Sequence, residues 1–177
     1  MAEDSVPWEV RLLQAYCKND DSLESLGYAK QSVLAGAWYV ACGSHGSLPA
    51  DVCLCGVGRV EEGLIRQWVE YYLSQVRTET VWDALSKDQQ KAVLKEVNGH
   101  LSSCIFMVGY KVTLADIVLY YGLHRYLGGM SFIQKAQYPH VCRWFDQVQH
   151  FPDVRPFSLP LIVFHKNPQL LTSSVGL

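Results

Sequence analysis

The sequence predicts a mostly α-helical fold: a helical bundle preceded by a small amino-terminal lobe whose pattern is hard to read. Three observations predict it. From Glu61 onward, apolar residues recur at three- and four-residue spacing, as one face of a helix requires. The stretch 117–123 is apolar around the whole helical circumference, which in a globular chain means burial on every side. Before residue 58, short apolar runs are broken by Gly27, Gly36, Gly43, Gly46, Pro49 and Gly56 without a sustained period. The chain therefore divides into a lobe over 1–58, a helical domain over 59–158 and a tail over 159–177.

The elements follow in order. Leu64, Trp68, Tyr71, Tyr72 and Gln75 predict a helix over about 61–77, and Glu61 and Glu62 suit the positive end of its dipole. A polar break at 77–80 ends it. A second amphipathic helix over about 86–104 places Leu94, Val97, Leu101 and Cys104 on one face, with Lys87, Gln90, Lys91 and Lys95 mostly elsewhere. Thr113-Leu114-Ala115-Asp116 has the form of a capping box, flanked by Val112 and Ile117 at the positions of a hydrophobic staple. It opens the all-apolar helix containing Ile117 and Tyr121, expected at the centre of the bundle. A short helix over 131–137 precedes one started by Pro139, whose stripe is Val141, Trp144, Phe145 and Val148 and whose end is Pro152. The segment 160–164 is apolar and β-prone, and 172–177 looks loose.

Composition narrows the function classes. With 177 residues, 49% hydrophobic, 12% aromatic and 18% charged, the chain has enough apolar material to offset the entropy of folding, so wholesale disorder is excluded. Fifteen Lys+Arg against 17 Asp+Glu leave a net charge of −2, so no global field favours a phosphate backbone or an anionic membrane. Direct nucleic-acid and membrane partners are not expected. The apolar stretch 33–42 is half a membrane span. The start, Met1-Ala2-Glu3-Asp4-Ser5, is acidic where a secretory signal is basic, so a cytosolic or nuclear chain is expected. Its cysteines (Cys17, Cys42, Cys53, Cys55, Cys104, Cys142) should then stay reduced, several as small core residues.

The capping box, the all-round apolar helix and the Pro-started helix bearing Arg143-Trp144-Phe145 resemble the carboxy-terminal helical domain of the glutathione transferase fold. Phe106-Met107-Val108-Gly109-Tyr110 leading into Thr113 through Arg125, then Val141-Cys142-Arg143-Trp144-Phe145 and Gln149-His150-Phe151-Pro152, resemble the eukaryotic translation elongation factor 1 epsilon family. The likeness runs from about Glu61 to Pro152. It implies a divergent or incomplete thioredoxin-like lobe over 1–58. It also implies a non-catalytic scaffold of the multi-aminoacyl-tRNA synthetase complex, pairing with transferase-like domains of methionyl-tRNA and glutamyl-prolyl-tRNA synthetases in the cytosol. Nuclear regulatory roles are associated with the family, although no basic localisation cluster is visible. In such domains the arginine corresponding to Arg143 contributes to the contact with a second transferase-like domain, and the alternative for Arg143 is an ordinary solvated arginine.

Catalytic readings find less support. Stabilising a thiolate needs an early Tyr, Ser or Cys. Tyr16 and Cys17 are the nearby candidates, and Lys18 stands where a redox motif has proline. For glutathione, Leu48-Pro49 is a faint match to the needed Val-Pro edge, while Asp21-Ser22 and Glu24-Ser25 precede it, on the wrong side. A glutathione transferase or degenerate glutathione-binding protein is the rival. Cys42-x-x-His45 with Cys53-x-Cys55 supplies four possible zinc ligands, but the spacing is not that of a known finger and buried thiols explain it. No cofactor, metal or catalytic residue is assigned. His124, Arg125 and His150 are read as cations suiting helix C-termini, and Asp116 as a cap only.

Overall fold

The computed structural model of the chain describes residues 52–77, 82–152, 154–155 and 159–164. Among them there is no β-strand, and the elements are helices joined by short connections. The expected lobe falls almost wholly outside the described residues. Only its last stretch is seen: a parallel bridge pairs Val52 with Val112. The Cys53 amide donates to the Val112 carbonyl at 2.9 Å and the Leu114 amide to the Leu54 carbonyl at 3.0 Å, stitching the linker to the loop ahead of the central helix.

Helix α1 runs Arg59–Tyr71 and continues as a π-helical turn, Tyr72–Val76, closed by the Arg77 amide on the Tyr72 carbonyl at 2.9 Å. Its start is set by Gly58 at φ 87°, by the Glu61 carboxylate accepting the Val57 amide at 2.7 Å, and by the Glu62–Arg66 pair one turn on. The buried stripe is Ile65, Val69, Tyr72 and Val76. This corrects part of the predicted face: Tyr72 is buried as expected, but Leu64 is 44% exposed, and Trp68 is only half-buried, edge-on to Tyr71 and against His100. Two apolar stripes lie one residue apart on this helix. The slimmer one faces inward because the central helix approaches closely there.

That approach is made at Gly122. A Cβ at this position would run into the Tyr72 ring and sit 3.2 Å from the Val76 side chain. Only glycine lets α1 and the central helix meet at this depth.

Helix α2, Lys87–His100, starts in a capping box between Ser86 and Gln89. Leu94, Val97 and Leu101 are buried as predicted. Gln90 is a second correction, since it is buried and donates its amide to the Trp82 carbonyl at 2.9 Å. The helix stops at His100, four residues short of the predicted end, because Ser102 and Ser103 turn back onto the Gly99 and His100 carbonyls. Cys104 is consequently half-buried outside it.

Helix α3, Leu114–Gly129, is the predicted central helix: Leu114 through His124 are all buried, Ile117 and Tyr121 included. Helix α4, Phe132–Lys135, is a single turn with its own Ser131–Gln134 capping box. Helix α5, Pro139–Gln149, buries Val141, Trp144, Phe145 and Val148 as expected, with Pro139 in its first turn. Tyr138 at its N-cap offers no side-chain acceptor. Asn98 on α2 supplies one, its Oδ1 accepting the His140 and Val141 amides at 3.0 and 3.2 Å. Replacing Asn98 with alanine should therefore destabilise by about 1 kcal/mol, as loss of a local cap does. An unchanged urea midpoint would show that α5 does not need this bond.

The described tail packs on the bundle. Gln149 brackets Ile162 with its side-chain amide, donating to the Ile162 carbonyl at 2.9 Å and accepting its amide at 3.2 Å. Ile162 is buried, and the Phe164 ring meets the Phe145 ring edge-on. His124 is the other anchor, its Nε2 lying 2.9 Å from the Pro160 carbonyl. It is buried two residues before the last turn of α3, against the Tyr120 and Phe145 rings, rather than serving as a dipole-stabilising cation. Burial pushes its pKa below the ordinary histidine value, Arg155 adds to that, and the Pro160 bond opposes it. The unfolded chain thus takes up a proton near pH 6.5 while folded His124 does not, so stability should be constant in this term above about pH 6.5 and fall below it. Urea midpoints from pH 7 to 5 should drop more steeply for the native chain than for His124→Gln. Parallel slopes would show that His124 titrates normally.

Candidate protein interface

The exposed side of α5 and the loop from 101 to 112 form a surface held from beneath at several points. Arg143 is exposed on α5, outside the stripe that buries Trp144, and its Nη2 donates to the Leu101 and Cys104 carbonyls, both at 2.7 Å. It therefore closes the carboxy-terminal end of α2 as well as presenting charge at the surface. Sequence reading placed Arg143 outside the apolar stripe, and it is there; what spacing did not show is this bond across some forty residues.

Asp116 organises the opposite side of the same loop. It is fully buried, and its capping partnership with Thr113 forms as predicted: Oδ2 accepts the Thr113 amide at 2.9 Å and the Thr113 hydroxyl at 2.8 Å. Its second oxygen has a role that a cap alone does not explain. Oδ1 accepts the Met107 amide at 2.8 Å and the Trp144 indole Nε1 at 2.8 Å. One carboxylate thus joins the start of α3, the loop and α5. Burial pushes its pKa up, against the pull of the four donors.

The loop is further tied by His100, whose Nε2 lies 2.9 Å from the Met107 carbonyl, and by burial of Phe106, Met107 and Val108. Between these anchors Ile105 is 45% and Tyr110 87% exposed. Apolar and aromatic side chains shown from an ordered loop beside an arginine are the ingredients of a protein contact.

Burial raises the Cys142 thiol to about 11 and the Tyr120 hydroxyl to about 12, and burial together with Glu96 raises Tyr71, so all three are protonated at neutral pH. Among the described residues no group of three or more His, Cys, Asp or Glu could hold a metal. Cys53 and Cys55 are half-buried and in no disulfide, whereas Cys42 and His45 lie outside the described residues, as do Tyr16, Cys17, Leu48-Pro49 and the acidic-Ser pairs. Arg125 is exposed and sits 3.8 Å from Asp83, and His150 caps α5, with its Nδ1 2.7 Å from the Asp146 carbonyl. Asn98 and Gln149 were missed by sequence reading. Their only signal was a polar residue placed where a helix turns inward.

A family model described as nuclear-export cofactor Arc1p matches residues 61–151, the span that contains α2 to α5 and nearly all of α1. The chain belongs to this family. Among similar proteins, eukaryotic translation elongation factor 1 epsilon-1 of Cricetulus griseus is 40% identical over 114 residues, covering 64% of this chain and 62% of that protein. The tRNA-aminoacylation cofactor arc1 of Schizosaccharomyces pombe is 29% identical over 68 residues, 38% of this chain and 15% of that protein. The match with the epsilon-1 relative thus spans less than two thirds of its length. In fold, the chain is like a possible glutathione S-transferase from Rhodopseudomonas palustris, with a TM-score of 0.54, 19% identity, and coverage of 82% of this chain and 88% of that one. The helical part of the predicted fold class is thereby shown, and the family supports the resemblance read from the sequence.

Proposed function

We propose that the chain is a non-catalytic auxiliary subunit of translation, a scaffold that binds transferase-like domains of aminoacyl-tRNA synthetases in the cytosol, methionyl-tRNA and glutamyl-prolyl-tRNA synthetases in particular. The family match over 61–151 carries this reading, together with the similarity to an elongation factor 1 epsilon-1 and to a tRNA-aminoacylation cofactor. The geometry of the Arg143 surface supports it. The surface is pinned by Asp116, Asn98 and Arg143 itself, so a partner meets an ordered face and little entropy is lost on docking.

The direct test is co-purification with each synthetase. Arg143→Ala should weaken synthetase binding at least tenfold, the scale of an arginine hot spot. Because Arg143 also closes α2, this change should cost about 1 kcal/mol of stability. Tyr110→Ala, at an exposed position, should weaken binding without moving the melting temperature. Retention of both variants at native affinity would remove this face as the contact. Retention on immobilised glutathione with turnover of a model electrophile would overturn the scaffold reading in favour of a transferase.

A further inference from the structure

The tail segment 159–164 is bound to the bundle along one edge only. Leu159, at the bend that begins it, is held by Arg155, whose Nη1 donates to its carbonyl at 3.1 Å. Pro160 offers its carbonyl to His124, and Ile162 gives both of its main-chain groups to the one side-chain amide of Gln149. A single amide reaches both groups only where the Ile162 N–H and C=O point the same way, as they do in extended backbone. Burial alternates in step, since Ile162 is buried while its neighbours Leu161 and Val163 are 45% and 55% exposed.

In extended backbone the main-chain groups of successive residues point to opposite edges. Those of Leu161 and Val163 therefore face away from Gln149, and among the described residues they make no hydrogen bond. A straight apolar segment with unpaired N–H and C=O groups along one edge is a template for another strand. Helix α4 lies beside it, with the Lys135 ammonium 5.3 Å from the centroid of the Phe164 ring, and adds exposed Phe132 and Ile133 to the apolar surface.

We propose that a second copy of this chain pairs with this edge, the two tail segments running antiparallel about a two-fold axis at Ile162. The edge is complementary to itself under that operation. Leu161 stands opposite Val163 of the second copy and Val163 opposite its Leu161, so each pair exchanges N–H···O bonds in both directions and every unpaired group on the edge gains a partner. The two Ile162 residues form the non-hydrogen-bonded pair between them, which leaves their main-chain groups to Gln149. The exposed Leu161 and Val163 side chains then meet across the strands on one face, an apolar cross-strand contact. So short a pairing buries far less than the roughly 1,200 Å² at which stable interfaces begin, so the dimer is weak and fills only at high concentration. None of these residues belongs to the Arg143 surface, and the proposal is independent of the synthetase reading.

Sedimentation velocity of the full chain from about 10 μM to 1 mM, the range in which a weak contact fills, tests the proposal. The weight-average mass should rise with concentration toward that of a dimer. Val163→Pro removes one N–H from the open edge and holds Ile162 in the extended backbone it already has. The two-fold axis repeats the loss, so association should weaken about tenfold or more, with the melting temperature of the dilute chain unchanged. Leu161→Lys, which places a charge where edge strands carry one to block pairing, should weaken association as much, and it carries the test if Val163→Pro loosens the tail. A chain that stays monomeric across the range would overturn the proposal. Association that survives both substitutions would overturn it as well, since the dimer would then form through another face.

Discussion

Asp116→Ala should destabilise the helical domain by about 4 kcal/mol, because three N–H donors, those of Met107, Thr113 and Trp144, lose their acceptor in a fully buried site and each unsatisfied group costs roughly 1–3 kcal/mol. Since domains of this kind are stable by only about 5–15 kcal/mol, that leaves a marginal fold. In a thermal melt the shift should be about 15–30 °C downward. Asp116→Asn keeps one carbonyl oxygen but turns an amide NH2 toward donors, so it should be destabilising to a smaller degree. Thr113→Ala, which leaves the carboxylate in place, should cost only about 0.5–2 kcal/mol. The ordering alanine, asparagine, then Thr113→Ala separates a three-way tie from a helix cap. If Asp116→Ala cost no more than Thr113→Ala, the bonds to Met107 and Trp144 would contribute nothing.

Gly122→Ala should cost about 1–3 kcal/mol and Gly122→Val more, as overpacking in a close-packed interior does. The added methyl would meet the Tyr72 ring, with the Val76 side chain 3.2 Å away, and Tyr72 is itself fully buried in the π-helical turn. Alanine otherwise favours a helix over glycine by about 1 kcal/mol, so the sign of the effect decides whether the contact is real. Chemical denaturation checks it. A double-mutant cycle with Tyr72→Leu should recover part of the loss, because the smaller side chain leaves room for the methyl. A stabilised Gly122→Ala variant would mean that α1 and α3 are not in this register.

These two sites show where sequence reading worked and where it stopped. The Thr113–Asp116 box was readable because both partners lie within one helical turn, and local spacing encodes local hydrogen bonds. The Ser86–Gln89 and Ser131–Gln134 boxes carry the same local signature, yet sequence reading placed only helices there and missed both caps. The Asp116 bonds to Met107 and Trp144 were not, since the partners are 9 and 28 residues away and no periodicity relates them. Arg143 shows the same division. Its place outside the Trp144 stripe follows from helical spacing, whereas its grip on Leu101 and Cys104 depends on how α2 and α5 pack. On α1 the pattern was ambiguous in itself: of the predicted set, Tyr72 lies on the buried stripe 65, 69, 72, 76, whereas Leu64, Trp68, Tyr71 and Gln75 lie on the stripe one residue before it.

What the sequence by itself determined is the set of helices, the burial of the central one and the family. Each rests on patterns that repeat within a few residues or on a string of residues shared with relatives. The tertiary structure decided which face of α1 turns inward, that His124 is buried and anchors the tail, that Asn98 caps a helix not its own, and that Gln149 brackets Ile162. All four depend on side chains far apart in the chain coming within hydrogen-bonding or van der Waals reach. That reach is set by close packing around Gly122 and the Asp116 carboxylate, and local spacing contains no information about it.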